Sequence, residues 1–202
     1  MTIVCLDLEG VLVPEIWVEV ARRSRITALE RTTRDEPDYD KLMQGRLALL
    51  AEHRLRLADL QAIVAGMGPM PGAREFLDRL RAEYQVLVLS DTFYEFAAPL
   101  MAQLGRPTLF CHHLECDAEG VVRRYHLRMP DQKRAAVLAL RGLNFRVIAA
   151  GDSFNDTSML GAAHAGIFFR PPDAIAAQFP QFPVTRDYDR LEAAIRQAAA
   201  RA

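Results

Sequence analysis

The chain is poor in cysteine, tryptophan and unbalanced charge. Its 202 residues include three cysteines and one tryptophan, and the formal net charge is −1. Cys5, Cys111 and Cys116 show no Cys-x-x-Cys spacing, so neither a disulfide framework nor a zinc site is expected, and a reducing compartment fits. Cys5 lies in an apolar run and reads as a small core residue. The near-zero charge offers no basic field for nucleic acid or an anionic membrane. No apolar run approaches the ~20 residues of a membrane span. Strand-like sequence begins almost at Met1, which leaves no room for a signal peptide and points to the cytoplasm.

What is present is an alternation. Strand-like apolar runs occupy Ile3–Leu6, Val86–Leu89, Thr108–Cys111, Val147–Ala150 and Gly166–Phe169. Helix-like segments lie between and after them, at Gly72–Tyr84, Glu95–Gly105, Asp131–Gly142, Asn155–Ala163 and Asp187–Ala200. Continuous apolar strands interleaved with amphipathic helices predict an α/β fold with a Rossmann-like parallel sheet covered on both faces. Two segments interrupt the pattern. Residues 14–69 lack strand signals and read as three helices, near Glu15–Ser24, Asp38–Arg54 and Leu57–Met67, so a small helical cap is expected there, inserted into a core of residues 1–13 and 70–202. Residues 109–127 read as a hairpin turning at Asp117-Ala118-Glu119-Gly120.

The chemistry-bearing residues collect where strands end. Asp7-Leu8-Glu9-Gly10 follows the first run, and Gly151-Asp152-Ser153-Phe154-Asn155-Asp156 follows the fourth. Parallel sheets bind ligands at the carboxyl ends of their strands. Two acidic strand ends side by side repel each other unless a cation intervenes, and Mg²⁺ is the hard, oxygen-seeking candidate beside phosphate. Asp7 and Glu9 share one face of an extended segment, so one carboxylate can attack while the other exchanges a proton. Gly10 and Gly151 are read as turn formers. Asp152 is read as a direct metal ligand, Asp156 as one acting through water, and Asn155 as an amide for a phosphate oxygen.

Ser90-Asp91-Thr92 offers a hydroxyl and main-chain N–H groups to a phosphate, although alone it is also an ordinary helix N-cap. Lys133, in the first turn of a helix, reads by itself as a solvated charge, of interest only as the cation a phosphate pocket needs. Arg46 stands in an apolar stripe with Tyr39, Leu42, Met43, Leu49 and Leu50, and a buried arginine needs an anionic partner. The arginine either snorkels to solvent or sits in a structural ion pair, or it is a fork that grips a substrate carboxylate. Glu15, at the start of the insert, supplies the opposite charge, or is merely a helix-start charge.

In order, the segments DLEGV, SDT, a lysine and GDSFND resemble the haloacid dehalogenase superfamily, and the helical insert resembles its phosphoserine phosphatase branch. The stretches LDLEGVLVPEIW, TTRDEPDYD, LSDTFYEF, VIAAGDSFNDTSML and FPQFP are similar to the bifunctional group of that branch, which also passes the phosphoryl group to homoserine. The resemblance implies that Asp7 is the nucleophile and Glu9 the acid and base. It implies Mg²⁺ on Asp7, Asp152 and the main-chain carbonyl of Glu9. Ser90, Asp91, Lys133 and Asn155 would hold the phosphoryl group, Glu15 the substrate ammonium and Arg46 its carboxylate. Position 9 departs from the wider superfamily, where Asp is usual, and the longer Glu leaves room for an acceptor other than water. A homodimer is compatible with this reading, although no exposed stripe demands one. Two alternatives remain at this level: a phosphatase for another small monoester, or a catalytically dead sensor of a phosphorylated metabolite.

Overall fold

The computed structural model describes residues 1–32, 35, 36 and 38–201. Thr33, Arg34 and Pro37, within the TTRDEPDYD stretch, lie outside the described residues, as does Ala202. Among the described residues, seven strands form one sheet in the order β4-β3-β2-β1-β5-β6-β7. They are β1 (Thr2–Leu6), β2 (Gln85–Phe93), β3 (Thr108–Cys116), β4 (Val122–His126), β5 (Arg146–Gly151), β6 (Ala165–Phe169) and β7 (Val184–Thr185). All neighbours are parallel except the β3–β4 hairpin. No helix among the described residues is long and apolar enough to cross a membrane.

The strands are apolar on both sides because both faces are covered. In β1, Val4 and Leu6 join one core with Phe76, Leu77, Leu191 and Ile195, while Ile3 and Cys5 join a second with Val137, Met159 and Leu160. The first cluster is closed by α4 (Ala73–Glu83), α5 (Tyr94–Gln103) and α9 (Tyr188–Ala200), and the second by α6 (Gln132–Gly142) and α7 (Thr157–Ala162). This two-sided alternation is the period of two that a strand imposes.

Between β1 and α4 run α1 (Ile16–Ser24), a 3₁₀ turn at Thr27–Glu30, α2 (Tyr39–Glu52) and α3 (Leu57–Ala65). Helix α3 packs on α5 and α1, and α2 packs on β4. Their Met43, Leu60 and Val64 belong to the same core as Val4 and Leu6. The Asp117–Gly120 turn is present: Gly120 has φ +79°, and the Asp117 carboxylate accepts from the N–H groups of Glu119 and Val121.

Two local expectations are corrected. Ser90-Asp91-Thr92 is not a helix cap: β2 continues through it to Phe93 with a shift in register against β3, and α5 starts at Tyr94 with no side-chain cap. The Asn155–Ala163 segment is a 3₁₀ turn at Phe154–Asp156 followed by α7. The short α8 (Asp173–Gln178) and β7 escape sequence reading, because they are too brief to show a period.

Candidate active site

β1 hydrogen-bonds to both β2 and β5, so the ends of three strands meet at one edge. The N–H of Asp7 donates to the Ala150 carbonyl at 2.9 Å, which sets the first acidic segment directly beside the second. Asp7 is 4% exposed. Both of its carboxylate's hydrogen bonds fall on Oδ1, from the Leu8 N–H at 2.7 Å and from Lys133 Nζ at 2.9 Å. Oδ2 accepts no hydrogen bond among the described residues.

Lys133 is the centre of the charge network. It is 3% exposed, with Nζ 2.8 Å from Asp156 Oδ1 and 3.9 Å from Asp91 Oδ2 as well. Burial alone would lower its pKa, but Asp156 and Asp7 outweigh burial and hold it well above the ordinary lysine value. Asp156 is fully buried, and its Oδ2 accepts from the N–H groups of Asp152 and Ser153 at 3.0 and 3.1 Å. It thereby ties the metal-candidate loop to the lysine.

An oxygen from each of Asp7, Asp152 and Asp156 lies within 4.8 Å of the others. Burial, then the Asp156 charge, raises Asp7 well above the carboxylate range and Asp152 to about 7. One lysine does not balance three such carboxylates. Hard oxygen donors with surplus negative charge fit Mg²⁺. Two glycines make the space. A Cβ on Gly10, where φ is +75°, would come within 2.4 Å of the Asp152 carboxylate, and one on Gly151 within 2.4 Å of the Asp156 carboxylate. Gly151 sits in β5 without a positive φ. Its role is clearance rather than the turn expected of it.

The Glu9 carboxylate is outside the acidic group. Its Oε2 accepts from the Ile16 N–H at 2.8 Å. Burial, then the Glu15 carboxylate, pushes Glu9 up to about 8, so at neutral pH it holds a proton it can donate. Glu15 is exposed at the N-cap of α1 and makes no capping bond. Its charge is felt by both Glu9 and Asp152.

Ser90 is buried, and its Oγ accepts from the Thr92 N–H at 3.3 Å. Asp91 Oδ2 lies 3.4 Å from Asn155 Nδ2. Burial would raise Asp91, but Lys133 and His112 hold it well below the usual carboxylate range. The same Asp91 Oδ2 thus faces both Lys133 and Asn155.

Sequence reading missed the groups behind Asp91. Buried Gln132 donates from Nε2 to the Ser90 carbonyl and to Asp91 Oδ1, while its Oε1 accepts from the Arg128 guanidinium at 2.9 Å. His112 Nδ1 accepts from the Arg128 N–H, which leaves the ring proton on Nε2, 3.6 Å from Asp91 Oδ1. No spacing in the chain links position 112 to 91. The link arises only because β2 and β3 pair.

Arg46 is 8% exposed. Its Nη2 donates to the Arg31 carbonyl at 2.7 Å, its guanidinium lies over the Trp17 ring, and Nε has no hydrogen-bond partner among the described residues. Burial lowers it to about 10, against the pull of Tyr39, Glu9 and Glu15. No ion pair among the described residues involves it, so the structural pair weighed from the sequence is absent.

Comparison with known proteins follows the same lines. A family model described as haloacid dehalogenase-like hydrolase matches residues 1–164. The phosphoserine phosphatase ThrH of Pseudomonas aeruginosa is 55% identical over 201 residues, covering 100% of this chain and 98% of that one. A phosphoserine phosphatase of Pseudomonas syringae pv. tomato is 56% identical, covering 94% and 80%. Among solved structures, a phospho-aspartyl intermediate analogue of phosphoserine phosphatase has a TM-score of 0.75 at 17% identity, covering 94% of this chain and 96% of that chain. At that identity the likeness speaks for the fold. The family match over most of the length and the 55% identity over all of it establish that the chain belongs to the haloacid dehalogenase-like hydrolase family.

Proposed function

We propose that the chain is a cytoplasmic, Mg²⁺-dependent phosphoserine phosphatase that also transfers the phosphoryl group to homoserine, with residues 14–69 acting as a cap over the carboxyl edge of the sheet. The observation that carries this reading is the buried Asp7–Lys133 pair, beside a buried arginine that makes no ion pair among the described residues and leaves its Nε without a hydrogen bond there. The name of the relative at 55% identity supports the same substrate.

The phosphate of phosphoserine rests on Lys133, Ser90 and Asn155, with Asp91 orienting the lysine and the amide. Its carboxylate meets Arg46 and its ammonium meets Glu15. Asp7 Oδ2 attacks phosphorus while the bond to the serine oxygen breaks, and Glu9 supplies that oxygen with its proton. The product on Asp7 is an aspartyl phosphate, and serine leaves. Glu9 then takes the proton of water, or of the homoserine hydroxyl, as that oxygen attacks phosphorus and the bond to Asp7 breaks. Mg²⁺ on Asp7, Asp152 and the Glu9 main-chain carbonyl, with Asp156 acting through water, would offset the negative charge gathered around the phosphate. Homoserine carries the same ammonium and carboxylate as serine, so Glu15 and Arg46 suit both.

The test is turnover of phosphoserine with Mg²⁺, with and without homoserine, following serine, phosphate and phosphohomoserine. Added homoserine should lower free phosphate per phosphoserine consumed while serine release continues, and serine should compete with homoserine. A product ratio untouched by millimolar homoserine would leave a plain phosphatase. Absence of serine release would overturn the substrate.

A further inference from the structure

The family roles leave the chain's one tryptophan unexplained. Trp17 of α1 lies under Arg46 of α2, with the guanidinium carbon 4.5 Å from the ring centroid. The ring is backed by Phe96 of α5, 5.0 Å away between centroids. We propose that Trp17 is a specificity-determining positioning residue. It holds the Arg46 guanidinium over its ring, so that the arginine selects phosphate esters bearing a carboxylate. The proposal rests on the reading that Arg46 receives the substrate carboxylate.

A buried guanidinium needs stabilisation, and a neighbouring carboxylate is the usual source. A carboxylate here would occupy the N–H donors and neutralise the charge that a substrate must find. An aromatic face attracts the cation through its quadrupole without using those donors, which lie in the guanidinium plane. The hydrogen-bond partners of Arg46 among the described residues are neutral, and the Glu9 and Glu15 carboxylates act on it without an ion-pair contact. Those partners are the Arg31 carbonyl at 2.7 Å and the Met43 sulfur at 3.7 Å from Nη1. Nε stays buried and unpaired among the described residues. The cation is thus desolvated and oriented, with one guanidinium N–H unpaired among the described residues.

The chain position of Trp17 adds a second link. The preceding residue, Ile16, donates its N–H to Glu9 Oε2 at 2.8 Å. Successive residues of one helical turn hold the acid–base group and seat the arginine. The spacing between the breaking ester bond and the carboxylate end is thereby set by a rigid element.

The experiment compares kcat/KM for phosphoserine and phosphoethanolamine, which share phosphate and ammonium and differ by the carboxylate. Wild type should prefer phosphoserine. Trp17→Leu should reduce that preference roughly 3- to 30-fold, the range for a cation–π contact from exposed to desolvated. Most of the loss should appear in KM for phosphoserine, and Trp17→Phe should restore part of it. Equal losses on both esters, or full retention of the preference in Trp17→Leu, would overturn the proposal alone. A wild type without preference, or Arg46→Ala with the preference intact, would sink the carboxylate reading and the proposal with it. Should Trp17→Leu not fold, wild-type emission decides, because all tryptophan fluorescence comes from this ring. L-serine should shift it and ethanolamine should not. No shift with L-serine at concentrations that inhibit turnover overturns the proposal.

Discussion

Replacing Lys133 by Met keeps an unbranched side chain, one heavy atom shorter, and removes its charge. The lysine is 3% exposed, 2.9 Å from Asp7 and 2.8 Å from Asp156. Its loss leaves buried carboxylates without their cation, a defect that costs about 3–5 kcal/mol. At about 2–4 °C per kcal/mol for a chain of this size, Tm should fall by about 6–20 °C in metal-free protein. The pH sign follows from the raised carboxylates. Asp152 stands at about 7 against an ordinary 3.8, and Asp7 is raised too. Between those values the folded state binds more protons than the unfolded chain, so stability falls as pH rises through the window. Without Lys133 both carboxylates rise further. The variant's deficit should therefore be small at pH 5 and largest near pH 8. Mg²⁺ should raise its Tm more than that of wild type, because more negative charge awaits a cation. Turnover should still fall by about 10²–10³-fold, the usual loss on removing one donor to the transferring group. Thermal unfolding by circular dichroism at several pH values, in EDTA and in Mg²⁺, measures all but the last. A variant Tm within 2 °C of wild type at pH 8 in EDTA would refute the balance of charges described here.

Glu9→Gln should lower turnover by about 10²–10⁴-fold, the share of general acid–base catalysis, with phosphorylated Asp7 accumulating in acid-quenched samples; a loss under tenfold would assign the proton transfer elsewhere. Gly151→Ala places a Cβ against the carboxylate of Asp156, which is pinned by Lys133 and two backbone N–H groups. It should weaken Mg²⁺ binding by about 10–100-fold, the scale for disturbing a group that supports metal ligands. Calorimetric titration checks this, and an unchanged affinity would show that Asp156 can move aside.

The strands were legible from the chain because a sheet covered on both faces demands apolar residues at every position of its central strands, as in Ile3–Leu6 and Val147–Ala150. The acidic residues just beyond those runs marked the carboxyl edge before any pairing was known. Arg46 also stood out, since a cation inside an apolar helical stripe is costly wherever that helix packs. Periodicity carries no information about partners distant in sequence. That β1 lies between β2 and β5 is decided by tertiary pairing, and this turns two separate acidic segments into one cluster. Lys133 reads locally as a solvated helix-start charge. Only the packing of α6 against the strand ends buries it among Asp7, Asp91 and Asp156. His112 and Gln132 gain their place behind Asp91 in the same way. Trp17 has no local signature at all, because its work is to face a guanidinium on another helix. Local sequence encodes which residues are apolar, charged or able to turn. Which charges share a low-dielectric space, and so shift one another's proton affinity, is settled only when distant segments close that space together.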